Sequence, residues 1–192
     1  SAAEPDGAQW ETAFTAIQPA IDEASRRGGG EIWVAQGDYT GTGDNVAVLR
    51  HNVHLYGGFS GTETAREQRD WAAQVSALDG KNARRCVFGT DNATLDGFTL
   101  RSGKAANGGG MCNTNASPTV ANCTFTDNTA TNYGGGMYYN SSASPSVTHC
   151  TFTNNRATDH GGGIYNSGAS LSVSNCTFTG NTVTGNNSHC GG

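Results

Sequence analysis

The sequence predicts an all-β solenoid of roughly six stacked coils, closed at its N-terminal end by an amphipathic helix. Three observations carry this. First, Gly108-Gly109-Gly110-Met111, Gly134-Gly135-Gly136-Met137 and Gly161-Gly162-Gly163-Ile164 are near-copies of one another. Second, Cys-Thr-Phe-Thr segments follow them at Cys123–Thr126, Cys150–Thr153 and Cys176–Thr179, and Phe98, Phe125, Phe152 and Phe178 recur at a nearly constant spacing. A fixed period of this size marks units that must stack to bury a core. Third, the periodicity inside each unit is two, as in Leu171-Ser172-Val173 and Cys176-Thr177-Phe178-Thr179, which is the alternation of a strand.

The elements follow in chain order. Trp10, Phe14, Ile17, Ile21 and Ala24 fall on one helical face. Asp6 with Gln9 reads as a capping box, and Gly28–Gly30 stop the helix, so it is expected over about 6–27. It would cover the exposed apolar end and open strand edges of the first coil. Glu31–Val34 begins the strands. Val46–Leu49, Val53–Tyr56, Val75–Leu78 and Val87-Phe88 continue them through irregular coils over 31–100, and Glu63–Ala73 reads as a surface excursion. Regular coils, with a period of about 26–27 residues, fill 101–192, and the whole reads as one domain. Columns of like residues should form inside: the four phenylalanines, then Met111, Met137 and Ile164, then Cys123, Cys150 and Cys176. Asn128, Asn155 and Asn181 fall at a corner, where stacked amides can bond along the column or simply suit a turn.

The repeats resemble those of polymorphic outer-membrane proteins and of extracellular right-handed parallel β-helix proteins of the pectin-lyase-like class. The Gly-Gly-Gly-Met/Ile and Asn-Cys-Thr-Phe-Thr patterns carry the resemblance, which extends upstream through Leu95–Leu100 and Leu55–Glu63. It implies a right-handed winding and a secreted or cell-surface setting, and it brings no catalytic residues with it.

Charged residues are 14% of the chain and the net charge is −5. Without basic clusters, nucleic-acid binding is not expected. No apolar run of about twenty residues offers a membrane span. Among the six cysteines there is no Cys-x-x-Cys and no matching His pair for zinc. Cys86 and Cys112 are separated by one period of the repeat, and read as a disulfide in an oxidising compartment. Five histidines (His51, His54, His149, His160 and His189) are dispersed and read as surface groups. No cofactor or metal is implied.

Glycosidases need two carboxylates set across a sugar bond. In the regular half only Asp127 and Asp159 are available, and they do not share a column. Asp91 and Asp96 lie one coil earlier, with Asp96 expected in the inward Cys123 column as a structural group. The chain therefore reads as a non-enzymatic structural or adhesion module of the cell surface. It would stack end to end on copies of itself, or on the rest of a longer surface protein, through Asn187, Ser188, His189 and Cys190. The competing reading is a module that binds or cleaves carbohydrate, with Tyr138, Tyr139 and Tyr165 as an outward sugar platform. A minor alternative is ice binding through the outward grid of Thr124, Thr126, Thr151, Thr153, Thr177 and Thr179, although threonine also simply suits strands.

Overall fold

The computed structural model describes residues 7–140 and 144–185. Every paired strand is parallel, and the strands form four sheets of six, six, four and five strands that wind into a solenoid of about six coils. One coil shows the plan. Thr119–Ala121 belongs to sheet I, Thr124–Thr126 to sheet II, Thr129–Tyr133 to sheet III and Met137–Asn140 to sheet IV. The chain turns from sheet I to II at Asn122, His149 and Asn175, whose φ values are 52°, 53° and 53°. It turns from II to III at Asp127 and Asn154 (55° and 54°). Asn, Asp and His enter the left-handed region more readily than other residues with a side chain. The third corner uses the first glycine of each triplet, with φ of 61° to 67° at Gly108, Gly134 and Gly161. A Cβ on Gly134 would lie 2.3 Å from the Met137 carbonyl oxygen, so this corner excludes any other residue.

The helix α1 spans Ile17–Arg26 and is shorter than its periodicity suggests. Pro19 supplies the reason: proline has no N–H to donate and is accepted only in a first turn, so the helix cannot run through it from residue 6. Asp6 lies outside the described residues, and the helix starts at Ala16 with no side-chain cap. Trp10 instead sits in a short 3₁₀ turn (Trp10–Thr12) and packs against Phe59 with ring centroids 5.7 Å apart. The C-terminus closes as expected for glycine: Gly29 N–H donates to Ala24 O at 2.8 Å and Gly28 N–H to Ser25 O at 3.0 Å. Ile17 and Ile21 are buried against the first coil. Gln18 seals the edge of the strand Asn45–Val48, with Oε1 accepting from Val48 N at 2.7 Å and Nε2 donating to Val48 O at 3.3 Å. The helix thus caps the open strand edge that a solenoid would otherwise expose.

In the regular coils the interior columns follow the repeat. Phe125, Phe152 and Phe178 stack in register at 4.6 and 4.9 Å, and Met111, Met137 and Ile164 stand level on sheet IV. Upstream the register departs from the repeat, because the coils are shorter. Leu100, not Phe98, stands opposite Phe125. Phe98 faces Ser76 and lies level with Cys123, at the head of the cysteine column. Asp96 pairs with Ala121 on the outer face of sheet I rather than joining that column.

The same shortening removes the Cys86–Cys112 disulfide. Cys112 stands opposite Phe88 rather than Cys86, in an outward column. Cys86 turns its thiol inward onto Arg101 O at 3.3 Å. Both are free thiols, as are Cys123, Cys150 and Cys176. Burial pushes the Cys86 thiol up to about 12. No helix among the described residues is long and apolar enough to cross a membrane.

Candidate functional site

The segment between the strands Val53–Phe59 and Ser76–Asp79 leaves the coil and folds back along its side. Glu63 starts it, accepting from the backbone N–H groups of Ser60 (2.7 Å), Gly61 and Thr62 (both 3.0 Å). Burial raises this carboxyl's pKa, but those hydrogen bonds outweigh it and hold the pKa at about 2. Arg69 then inserts at the corner of sheets I and II, its side chain only 9% exposed. It donates to Gly57 O and Asp96 O, both at 3.2 Å, and pairs with Asp96 Oδ2 at 2.9 Å. Asp70 fixes the next turn, its Oδ1 accepting from Ala72 and Ala73 N–H at 3.1 Å.

These anchors set Trp71 on the lateral wall. Gly58 and Gly97 permit the approach: a Cβ on Gly58 would lie 2.6 Å from the Trp71 N and Cα atoms, and one on Gly97 3.0 Å from Trp71 Cβ. Arg69 covers one face of the indole, its guanidinium 4.8 Å from the ring centroid. The residue remains 43% exposed.

Beneath Trp71 runs a cleft of about 280 Å³ lined by Val75, Phe98, Thr99, Asn122, Thr124, His149 and Thr151. Its floor is an outward column of sheet II. Thr99, Thr124, Thr151 and Thr177 stand in register on four successive coils, and Thr126, Thr153 and Thr179 form a parallel column beside them. Asn122 donates to Asp96 Oδ1 at 2.8 Å, and His149 Nε2 lies 3.2 Å from Asn175 Nδ2. Among the described residues no carboxylate lines this cleft, and no group of three or more His, Cys, Asp or Glu side chains forms a metal site. Asp127 is engaged locally, accepting from Thr126 Oγ1 at 2.9 Å, and Asp91 accepts from Ser117 N–H at 2.7 Å.

The tyrosines lie across the solenoid, near the glycine corner of sheets III and IV. Tyr138 and Tyr165 face outward and stack at 5.6 Å; Tyr133 joins Tyr165 at 4.8 Å and His160 at 5.7 Å. Tyr138 is largely covered by this stack. Tyr139 does not belong to an outward platform. It alternates with Tyr138 along the strand, so its ring is fully buried and its hydroxyl has no hydrogen-bond partner. The cysteine column also stands inside, with Cys123 and Cys150 buried and Cys176 partly so. Asn187, Ser188, His189 and Cys190 lie outside the described residues.

Trp71 and Arg69 are absent from the sequence-based candidates. The signal was present in Arg69-Asp70-Trp71, an aromatic set among charges in an excursion that interrupts a repeat. What hid it is that the glycines receiving it, Gly58 and Gly97, are far apart in the chain.

Residues 73–191 match the family model described as a right handed beta helix region. Over 99 residues, or 48% of this chain, the sequence is 31% identical to the mannuronan C5-epimerases AlgE1, AlgE2 and AlgE3 of Azotobacter vinelandii. The stretch spans only 7%, 10% and 5% of those three proteins, so the chain corresponds to a small part of each. No solved structure matches. With well over half of its residues matched by that model, and with parallel strands wound into coils, the chain belongs to the right-handed β-helix family.

Proposed function

We propose that this chain is a carbohydrate-binding β-helix, working outside the cell or at its surface, that holds a glycan along the cleft beneath Trp71 without cleaving it. The observation that carries the reading is Trp71 itself, exposed on one side and fixed on the other, above a row of threonines. Sugar sites combine an aromatic face for the apolar face of a pyranose with a few fixed polar groups for its hydroxyls. Threonine hydroxyls and the Asn122 amide can both donate and accept, as sugar hydroxyls require. Coils stacked about 4.8 Å apart repeat the Thr column at close to the length of one sugar unit, so a chain lying along the axis would meet the same surface at each step. The similarity to enzymes named for mannuronan supports a polysaccharide as the ligand, whatever its charge. A lining without paired carboxylates supports binding over hydrolysis.

Affinity electrophoresis through gels containing soluble polysaccharides tests this. At least one polysaccharide should retard the protein, and Trp71→Ala should migrate freely. Retardation unchanged in that variant would move the site elsewhere.

A second reading, stacking of the last described coil on another copy of the chain or on the rest of a longer protein, is favoured by one observation. In the last described coil Val173 and Phe178 are 42% and 41% exposed, whereas their equivalents Val147 and Phe152 one coil earlier are fully buried. Sedimentation across a concentration series tests it. Association that grows with concentration and is lost in Phe178→Ser supports stacking between copies, and a constant monomer opposes that form of it.

A further inference from the structure

We infer that the cleft beneath Trp71 selects uncharged polysaccharides and rejects polyuronates; this rests on the carbohydrate-binding reading above and narrows it to one ligand class. Trp71, Thr99, Asn122, Thr124 and Thr151 carry no charge, and each polar group among them can both donate to and accept from a hydroxyl, except the indole, which only donates; His149, the one lining group able to take up a proton, turns its Nε2 to the Asn175 amide at 3.2 Å. A polyuronate presents a carboxylate on every sugar. Binding one strips water from those charges, and the loss is compensated only by cationic partners, of which a guanidinium held ready for two parallel bonds is the best fitted.

The guanidinium set against Trp71 is already committed. Arg69 directs its Nη1 to the Gly57 and Asp96 carbonyls and its Nη2 to the Asp96 carboxylate, with a side chain 9% exposed. Asp96 neutralises it, and Asn122 braces Asp96 in turn. Recruiting Arg69 to a ligand would strand Asp96, which is itself mostly buried. The next cation along sheet II is Arg101, the continuation of the Thr126 column. It sits between two carboxylates, Asp79 Oδ2 at 3.1 Å and Asp38 Oδ2 at 2.8 Å, and Lys81 also pairs with Asp79 at 3.1 Å. Two cations against two anions leave that end of the sheet with no surplus positive charge. The chain as a whole carries −5, which repels a polyanion at long range as well.

The sugar face of the site points the same way. Arg69 occupies one side of the indole, so the exposed side is left for the ligand. An uncharged pyranose offers its C–H face to such a ring without desolvating an ion. The threonine ladder then supplies repeated hydroxyl contacts that are indifferent to salt.

The test is affinity electrophoresis of the full chain against two panels, neutral polymers (β-glucan, xylan, mannan) and polyuronates (mannuronan, polygalacturonate), at low and high sodium chloride. The expected result is retardation by at least one neutral polymer, abolished in Trp71→Ala and changing less than about twofold with salt, since no ion pairs are screened. Neither polyuronate should retard the protein at either salt. Retardation by a polyuronate that disappears both in Trp71→Ala and at high salt would overturn the selectivity while leaving the cleft as the carbohydrate site. No retardation by any polymer of either panel would overturn the carbohydrate reading itself, and the selectivity with it. A gain of mannuronan binding in Thr124→Lys would show that the missing cation is what sets the preference; neutral-polymer binding without that gain would reject charge as the cause.

Discussion

Asn155 Oδ1 accepts from both the backbone N–H (3.1 Å) and the side-chain amide (3.0 Å) of Asn128, one coil above it. Its own amide donates to Phe125 O and Asn181 Oδ1, both at 2.9 Å. Asn128 repeats the pattern upward, donating to Leu100 O at 2.9 Å and accepting from Gly103 N–H at 2.8 Å. The column is therefore a ladder that satisfies backbone groups the corner between sheets II and III leaves unpaired. A turn preference alone would not place these side chains in the interior, where Asn128 and Asn155 are fully buried.

Asn155→Ala should accordingly destabilise the protein by about 3 kcal/mol, since it leaves Phe125 O and the Asn128 N–H groups buried without partners. Asn181→Ala, in the more exposed last described coil, should cost clearly less. Urea unfolding of the two variants measures the difference. Equal small losses would reduce the ladder to a turn preference.

A similar gradient should run down the phenylalanine stack. Phe152 lies fully buried between Phe125 and Phe178, so Phe152→Ala should cost about 3–5 kcal/mol. Phe178→Ala should cost less than half as much in a monomer, because 41% of that residue already faces solvent. A cost as large as that of Phe152→Ala would mean that something covers the ring in solution.

The regular coils were legible in the sequence because a strict repeat fixes its own register: Phe125, Phe152, the Asn ladder and the Thr columns all fall where the repeat period places them. Upstream, the period could not be carried over. The shorter coils there displace Phe98, Asp96 and Cys86 by two positions, so each meets a different partner from the one its spacing suggests. For Phe98 a shift of two keeps the side chain on the same face, which is why its burial was readable and its neighbour was not. Tyr139 shows the complementary error: next to an outward tyrosine, strand alternation alone requires it to be inside. The Trp71 cleft depends on a loop docking against two distant glycines, a tertiary fact with no local pattern.

Stability should fall on the alkaline side. Burial raises the pKa of Cys86 to about 12, and it raises that of Tyr139 as well. In the unfolded chain a thiol ionises at about 8.5 and a phenol at about 10. Between those values and the folded ones the unfolded chain releases protons that the native state retains. The stabilisation is therefore complete below about 8.5 and declines as pH rises toward the folded value. For Cys86 the loss at pH 10 is on the order of 2 kcal/mol. Urea midpoints from pH 7 to pH 10 measure it, and Cys86→Ala should flatten part of the slope. A midpoint constant over that range would contradict the burial of these groups.

Arg69→Ala should uncouple the loop from the coil. Removing one partner of a mostly buried pair leaves Asp96 uncompensated, at a cost of about 3 kcal/mol. It also removes the group covering one face of Trp71. The expected signature is a stability loss accompanied by easier proteolysis within residues 60–75. A variant as stable and as resistant as the parent would show that the glycine contacts alone hold the loop.

Whether a glycan lies along the threonine column beneath Trp71 can be read by NMR of threonine methyl groups and tryptophan indole N–H groups during titration with an oligosaccharide of a polymer that binds. Shifts concentrated at Trp71, Thr99, Thr124 and Thr151, with Trp10, Trp33 and the threonines of the other sheets unmoved, are the expected result. Shifts centred instead on Thr129 and Thr182 of sheet III, toward the Tyr133–Tyr165 stack, with Trp71 unchanged, would contradict it.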